Sequence, residues 1–221
     1  MNEFYVGYVP KAPANIASYI KRAVIIALSA TAAIAITLVI GQHKFDPSKF
    51  EFGVFRPYEG IVETGPVLVS NGQAYVLVAP GKHGIAVPPG MHARLRGSLA
   101  ANGQDRVLEV EPGSLQILQP QSAATPLGQR TYEGEIVDTK CYFGVMNPGR
   151  GVVHRDCAAR CISGGIPAGL LVRDANGNLR TILLTGMPNN TLVRYAGQKV
   201  RISGTLSQIG DALQLKIERM E

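Results

Sequence analysis

The chain contains no tryptophan, and only 6% of its 221 residues are aromatic. Binding surfaces for carbohydrate and for single-stranded nucleic acid are commonly built on aromatic stacking platforms, so this scarcity argues against both. Basic residues outnumber acidic ones and give a net charge of +6, but no more than two of them stand in a row. Because nucleic-acid binding needs a clustered basic face, we expect no nucleic-acid partner.

Recognisable catalytic motifs are also missing. The sequence has no Ser-His-Asp motif, no Walker-type phosphate loop, no pair of catalytic carboxylates and no Cys-x-x-Cys-His haem site. A non-catalytic role is therefore favoured over an enzymatic one.

One long apolar run lies near the N-terminus, at residues 23–41. It has no charged side chain, and its first 18 residues would form about 27 Å of helix, the short end of a membrane span. The apolar part of a cleaved signal peptide is usually shorter, about 7–15 residues, so we predict an uncleaved transmembrane helix. Three basic residues and one acidic residue precede the run. This bias predicts that segment 1–22 is cytoplasmic and that the rest of the chain lies in a bacterial periplasm, where disulfides persist.

The remainder of the chain contains a duplicated β module. Short β-branched runs alternate in polarity with a period of two and are separated by Gly, Pro and Asn. Tyr58-Glu59-Gly60 recurs as Tyr132-Glu133-Gly134, and Pro89–Leu99 matches Ala196–Leu206. About five short strands per copy resemble the OB-fold, a small five-stranded barrel.

We therefore predict a mainly β fold, in which a single N-terminal transmembrane helix precedes two tandem OB-like small β-barrels. The predicted boundaries are a cytoplasmic segment at 1–22, the helix at 23–41, the first module at 50–115, a polar linker at 116–130 and the second module at 131–221, with a short helical Cys/His insert at 141–168.

The insert holds every cysteine of the chain and one of its four histidines. Residues 154–161 lack helix breakers and predict two helical turns that end at Gly164. His154, Cys157 and Cys161 then lie on one helix face, and Cys141 closes over that face from the preceding strand.

Three interpretations of the insert remain open. Three thiolates and one imidazole, from Cys141, His154, Cys157 and Cys161, are a complete ligand set for zinc, and soft thiolates also suit copper or iron. One such ion is the only cofactor that the sequence predicts. Alternatively, Cys141 forms a disulfide with Cys157 or Cys161, which an oxidising compartment favours. In the third interpretation, Cys157 or Cys161 is a reactive redox thiol.

Two neighbouring features are also open to interpretation. Asp138 either positions His154 or simply ends a strand. The basic loop Gly81-Lys82-His83-Gly84 is interpreted as a solvated turn.

The second copy resembles a widespread bacterial class of small exported or membrane-anchored proteins with an OB-like barrel. These proteins share a Gly-x-Ile-x-Asp-x-x-Cys strand, an insert with Cys and His, a Gly-Gly step and a late strand that begins near Ala-Gly-Gln-Lys-Val. The matching residues here are Gly134, Ile136, Asp138, Cys141, His154, Cys157, Cys161, Gly164-Gly165, Leu170–Val172 and Ala196–Leu206. The resemblance implies an OB-like fold and an exported location, and it implies no particular activity.

We expect a single-pass protein of the bacterial inner membrane that acts as a periplasmic accessory or assembly subunit of a membrane-associated redox complex. Its expected partners are the inner membrane and the other proteins of that complex. One alternative is a periplasmic metal-binding protein that holds Zn, Cu or Fe at the four Cys and His residues. A further alternative is a thiol-based redox protein.

Overall fold

The structure is a computed structural model that describes residues 13–42, 48–120 and 124–221. Residues 1–12 of the predicted cytoplasmic segment and 121–123 of the predicted linker lie outside the described residues. The chain divides into two units, Met1–Phe45 and Asp46–Glu221.

The first unit contains helix α1, Ala14–Gln42. Within it, Ala14–Gly41 has a mean hydropathy of 2.6 over its most apolar window, and none of that window is buried. The helix begins earlier than the predicted start at residue 23, directly after Pro13, because proline is well tolerated at the beginning of a helix and no breaker follows it. The chain therefore has one described helix that is long and apolar enough to cross a membrane.

The first β module has six strands in the order β1-β2-β3-β5-β4-β6. Strand β1 also pairs with β4, so the first five strands form a ring. Strands β3 and β5 are parallel, and the other neighbouring pairs are antiparallel. The strands are β1 (Ser48–Glu63), β2 (Val67–Ser70), β3 (Gln73–Val78), β4 (Met91–Asn102), β5 (Asp105–Val110) and β6 (Gln116–Pro120).

The second module is a closed barrel with the same topology. Its order is β10-β11-β9-β8-β7, and β9 and β11 are its parallel pair. The prediction of two tandem OB-like barrels is confirmed. The elements are β7 (Ala124–Asp138), α2 (Arg155–Ser163), β8 (Ala168–Arg173), β9 (Leu179–Thr185), α3 (Asn189–Leu192), β10 (Lys199–Ile209) and β11 (Ala212–Met220).

The repeated glycine marks the same close approach in both barrels. A Cβ on Gly60 would lie 2.0 Å from the carbonyl oxygen of Val69, and one on Gly134 would lie 2.4 Å from that of Leu171. The first strand of each barrel lies so close to the second at this point that only glycine fits.

The segment predicted as a linker, 116–130, is largely β-strand. Strand β6 pairs with β4, and β7 begins at Ala124. All five side chains of β6 are exposed. A strand that is exposed on both faces carries no hydrophobic alternation, which is why its sequence, Gln-Ile-Leu-Gln-Pro, did not predict a strand.

The two modules share an apolar core. Aromatic residues of the insert, Tyr142 and Phe143, are buried in a cluster that draws on strands of both barrels. The second unit is therefore one compact body. Its shared cluster includes Val67, Val76, Val78, Ala100 and Val107 from the first module and Val137, Cys141, Cys161, Ile166, Leu171, Leu183 and Ile209 from the second.

Candidate metal centre

Strand β7 ends at Asp138, the first of four consecutive buried residues, Asp138–Cys141, none of which is more than 4% exposed. Three of them are polar, and buried polar groups need partners. Thr139 Oγ1, for example, donates a hydrogen bond to the carbonyl oxygen of Pro167 at 2.9 Å. These contacts fix the path by which the chain leaves the barrel and enters a helical turn, Cys141–Val145.

The three cysteines come together around this point. Cys141 Sγ lies 3.8 Å from Cys161 Sγ, and both side chains are buried. Cys157, which is half-buried, joins them, so that the three sulfur atoms lie within 4.8 Å of one another. Helix α2 makes this possible because Cys157 and Cys161 are four residues apart and share one helix face. We call these three residues the three-thiol site.

The contact between Cys141 and Cys161 shifts the pKa values of the two thiols in opposite directions. Their hydrogen bond, together with burial, raises the pKa of Cys141 far above its ordinary value. The same hydrogen bond lowers the pKa of Cys161. Cys161 is therefore the sulfur of this pair that more readily becomes a thiolate, the form that binds metals.

His154 is buried beside the three-thiol site and contacts Asp138. Its Nε2 atom lies 3.0 Å from Asp138 Oδ2, while Asp138 Oδ1 accepts a hydrogen bond from the backbone nitrogen of Cys141 at 2.8 Å. The structure thus places Asp138 and His154 in direct contact.

The four predicted ligands, together with Asp138, form two overlapping groups that share Cys141. One is the three-thiol site, and the other consists of Asp138, Cys141 and His154. Among the residues that the structure describes, no fourth Cys, His, Asp or Glu belongs to the three-thiol site. His154 lies in the turn Val152–His154, before α2, and not on the helix. The prediction assumed one continuous helix from residue 154, so it put His154 and the two thiols in a single group.

The first module contributes a cation to the three-thiol site. Lys82 Nζ donates a hydrogen bond to Cys157 Sγ at 3.4 Å, and this bond raises the pKa of Lys82. The loop interpreted as a solvated turn, 81–84, is therefore part of the site, although the Lys82 side chain is exposed. Sequence reasoning missed this contact because nothing in a single sequence links residue 82 to residue 157.

A second lysine, Lys140 of the second module, contacts residues of the first module. Lys140 is 4% exposed, and its Nζ donates hydrogen bonds to the carbonyl oxygens of Ala79 at 2.9 Å and Gly81 at 2.6 Å. The same nitrogen lies 2.5 Å from Glu109 Oε2. The residue next to Cys141 in sequence thus holds the loop that carries Lys82.

A polar cleft of about 470 Å³ lies between the modules, beside the insert. Arg106 Nη1 lies 2.7 Å from Asp211 Oδ2, and Thr181 Oγ1 donates a hydrogen bond to Asp105 Oδ2 at 2.6 Å. Burial raises the pKa of Asp105 to about 6. These two contacts join β5 of the first barrel to the second barrel.

Comparison of the chain with protein-family models, with curated proteins and with solved structures finds no match.

Proposed function

We propose that this chain is a membrane-anchored metal-binding protein that holds one soft metal ion at the three-thiol site. The observation that carries the proposal is the mutual approach of the three sulfur atoms to within 4.8 Å. Two thiolates bound to one zinc ion at about 2.3 Å stand about 3.8 Å apart in a tetrahedral arrangement. The separation of Cys141 and Cys161 is 3.8 Å, so a soft ion fits this pair without backbone movement.

The surroundings of the thiols support the same function. Asp138 contacts the buried His154 and accepts a hydrogen bond from the backbone nitrogen of Cys141, so the pair holds one sulfur ligand from behind, as hydrogen-bonded groups next to metal ligands do. Helix α1 supplies the membrane anchor. In this proposal the site lies on the periplasmic side, which the excess of basic residues before the helix supports.

The test is metal content and thiol reactivity of the full chain, purified in mild detergent without oxygen. We expect about one equivalent of Zn, Cu or Fe per chain, lost on Cys157→Ser. The matched control is Val153→Ser, which changes a side chain that is 83% exposed and four residues before Cys157. The proposal is contradicted if the wild-type chain takes up no ion, or if Cys157→Ser and Val153→Ser retain metal equally.

A second candidate function is an accessory or assembly subunit of a membrane-bound redox complex. Val152 and Val153 favour it, because both are 83% exposed on the insert directly before His154. A photo-crosslinking residue at position 153 is expected to capture a redox-cofactor-bearing membrane protein in cells. The control position is Asn176, an exposed residue in the β8–β9 turn. Identical capture patterns from the two positions would count against the accessory role.

A further inference from the structure

Lys82 is held against the three-thiol site by backbone contacts on both sides of it. On one side, Lys140 Nζ donates to the carbonyl oxygens of Ala79 and Gly81. On the other side, the backbone nitrogen of Gly84 donates to the carbonyl oxygen of Gly164 at 2.9 Å. The loop is therefore fixed to the second module independently of where the Lys82 side chain points.

The packing of this loop on the end of α2 leaves no room for side chains. A Cβ on Gly164 would lie 1.8 Å from the carbonyl oxygen of Lys82, and a Cβ on Gly84 would lie 1.9 Å from that of Gly165. The backbones of the two modules thus touch at the level of the thiols. This close contact fixes the backbone of Lys82, whose ammonium group reaches Cys157.

An ammonium group at this position discriminates between ions by their charge. It attracts the thiolates to the same degree whichever ion they hold, whereas its repulsion of the ion itself doubles from a monovalent to a divalent cation. Lys82 therefore costs a divalent ion more binding free energy than it costs a monovalent one.

The number of sulfur ligands favours the same ion. Protein-bound zinc prefers four ligands, and the three-thiol site offers three among the described residues. Monovalent copper is soft, binds thiolates and accepts three-fold coordination.

We propose that Lys82, supplied by the first module, makes the three-thiol site selective for monovalent copper over zinc. This inference rests on the proposed metal-binding function and names the ion that it takes. It also gives the first barrel a role at a site whose thiols all belong to the second.

The experiment measures the affinity of the full chain for each ion separately, without oxygen and in detergent. Cu(I) is titrated against the chelator bathocuproine disulfonate, and Zn(II) is titrated against a zinc-binding dye. The variant is Lys82→Met, which keeps the length of the side chain and removes its charge. Lys82→Arg restores the charge, and Lys216→Met removes an exposed lysine on β11 as the control.

We expect Lys82→Met to shift the ratio of Cu(I) to Zn(II) affinities toward zinc by roughly tenfold, as one partly screened charge implies. Lys82→Arg and Lys216→Met should keep the wild-type ratio. The inference is overturned if both ions bind and Lys82→Met leaves the ratio unchanged, or if Lys216→Met changes it as much. If the wild-type chain binds neither ion, the proposed function itself fails, which is a different result.

Discussion

Asp138 and His154 form a fully buried pair, with Asp138 Oδ2 3.0 Å from His154 Nε2 and the two side chains 0% and 3% exposed. The carboxylate also accepts the backbone N–H of Cys141, so one residue links the histidine to a cysteine of the three-thiol site. In our account His154 supports the site from outside, while the three sulfur atoms hold the ion.

This arrangement predicts different effects for substitutions of histidine and cysteine. His154→Gln should lower metal affinity by about 10–100-fold, the range typical of residues that orient ligands, and should leave the stoichiometry at about one. Cys161→Ser should abolish tight binding because it removes a sulfur ligand. Chelator competition on both variants measures the difference. Complete loss of metal in His154→Gln would instead make His154 a ligand.

The ion pair between the buried Lys140 and the half-buried Glu109 predicts a loss of stability when it is broken. Lys140→Met should lower the free energy of unfolding by at most about 3–5 kcal/mol, the range for a fully buried pair, because it leaves the half-buried Glu109 carboxylate without this cation. The double variant Lys140→Met/Glu109→Gln should regain a large part of that loss. Chemical unfolding of the full chain in detergent measures both variants. Equal stability of the single and double variants would mean that the pair does not couple the modules.

The raised pKa of Asp105 predicts a specific dependence of stability on pH. The pKa of its carboxyl group is about 6 in the folded chain, because the group is buried between the modules. In the unfolded chain the pKa is about 3.9. The folded state therefore binds this proton more tightly. The contribution of Asp105 to the free energy of unfolding is fully present below about pH 4 and is lost as the pH rises through about 6.

Asp105→Asn removes this contribution while still accepting the hydrogen bond from Thr181. Relative to the variant, the wild-type chain should lose up to about 3 kcal/mol of stability between pH 4 and pH 7.5. Unfolding curves at the two pH values give the difference. Parallel pH profiles for the two proteins would show that Asp105 does not titrate between them.

The sulfur distances predict which disulfide forms when metal is removed and a thiol oxidant such as diamide is added. Cys141 and Cys161 are 3.8 Å apart and buried together, so they should pair. Cys157 should remain a free thiol. Peptide mapping with thiol labelling identifies the bond, and metal-loaded protein serves as the protected control. A bond from Cys157 to Cys141 would contradict the geometry.

Most of the fold prediction rested on the sequence repeat between the two β modules. Gly60 and Gly134 recur because each barrel needs the same close approach of its first two strands, so the duplication was visible in the sequence. The helical spacing of Cys157 and Cys161 likewise placed both thiols on one face of α2. Strand β6 was not predicted because an edge strand with five exposed side chains has no alternating pattern.

The contacts of the site that the sequence did not predict are those between the two modules. Lys82 lies 75 residues before Cys157, and Lys140 lies 31 residues after Glu109. The positions of both lysines depend on how the two barrels pack, through the shared core around Tyr142 and Phe143. No local period or motif encodes that packing, so a solvated loop was the natural interpretation of residues 81–84.

The most direct test of the central claim is X-ray absorption spectroscopy at the edge of the metal that the purified full chain contains. The account predicts one ion with three sulfur neighbours at about 2.2–2.3 Å, a pattern that Cys157→Ser abolishes. Scattering dominated by nitrogen and oxygen neighbours, or a metal-free chain, would contradict the claim that the three-thiol site is a metal centre.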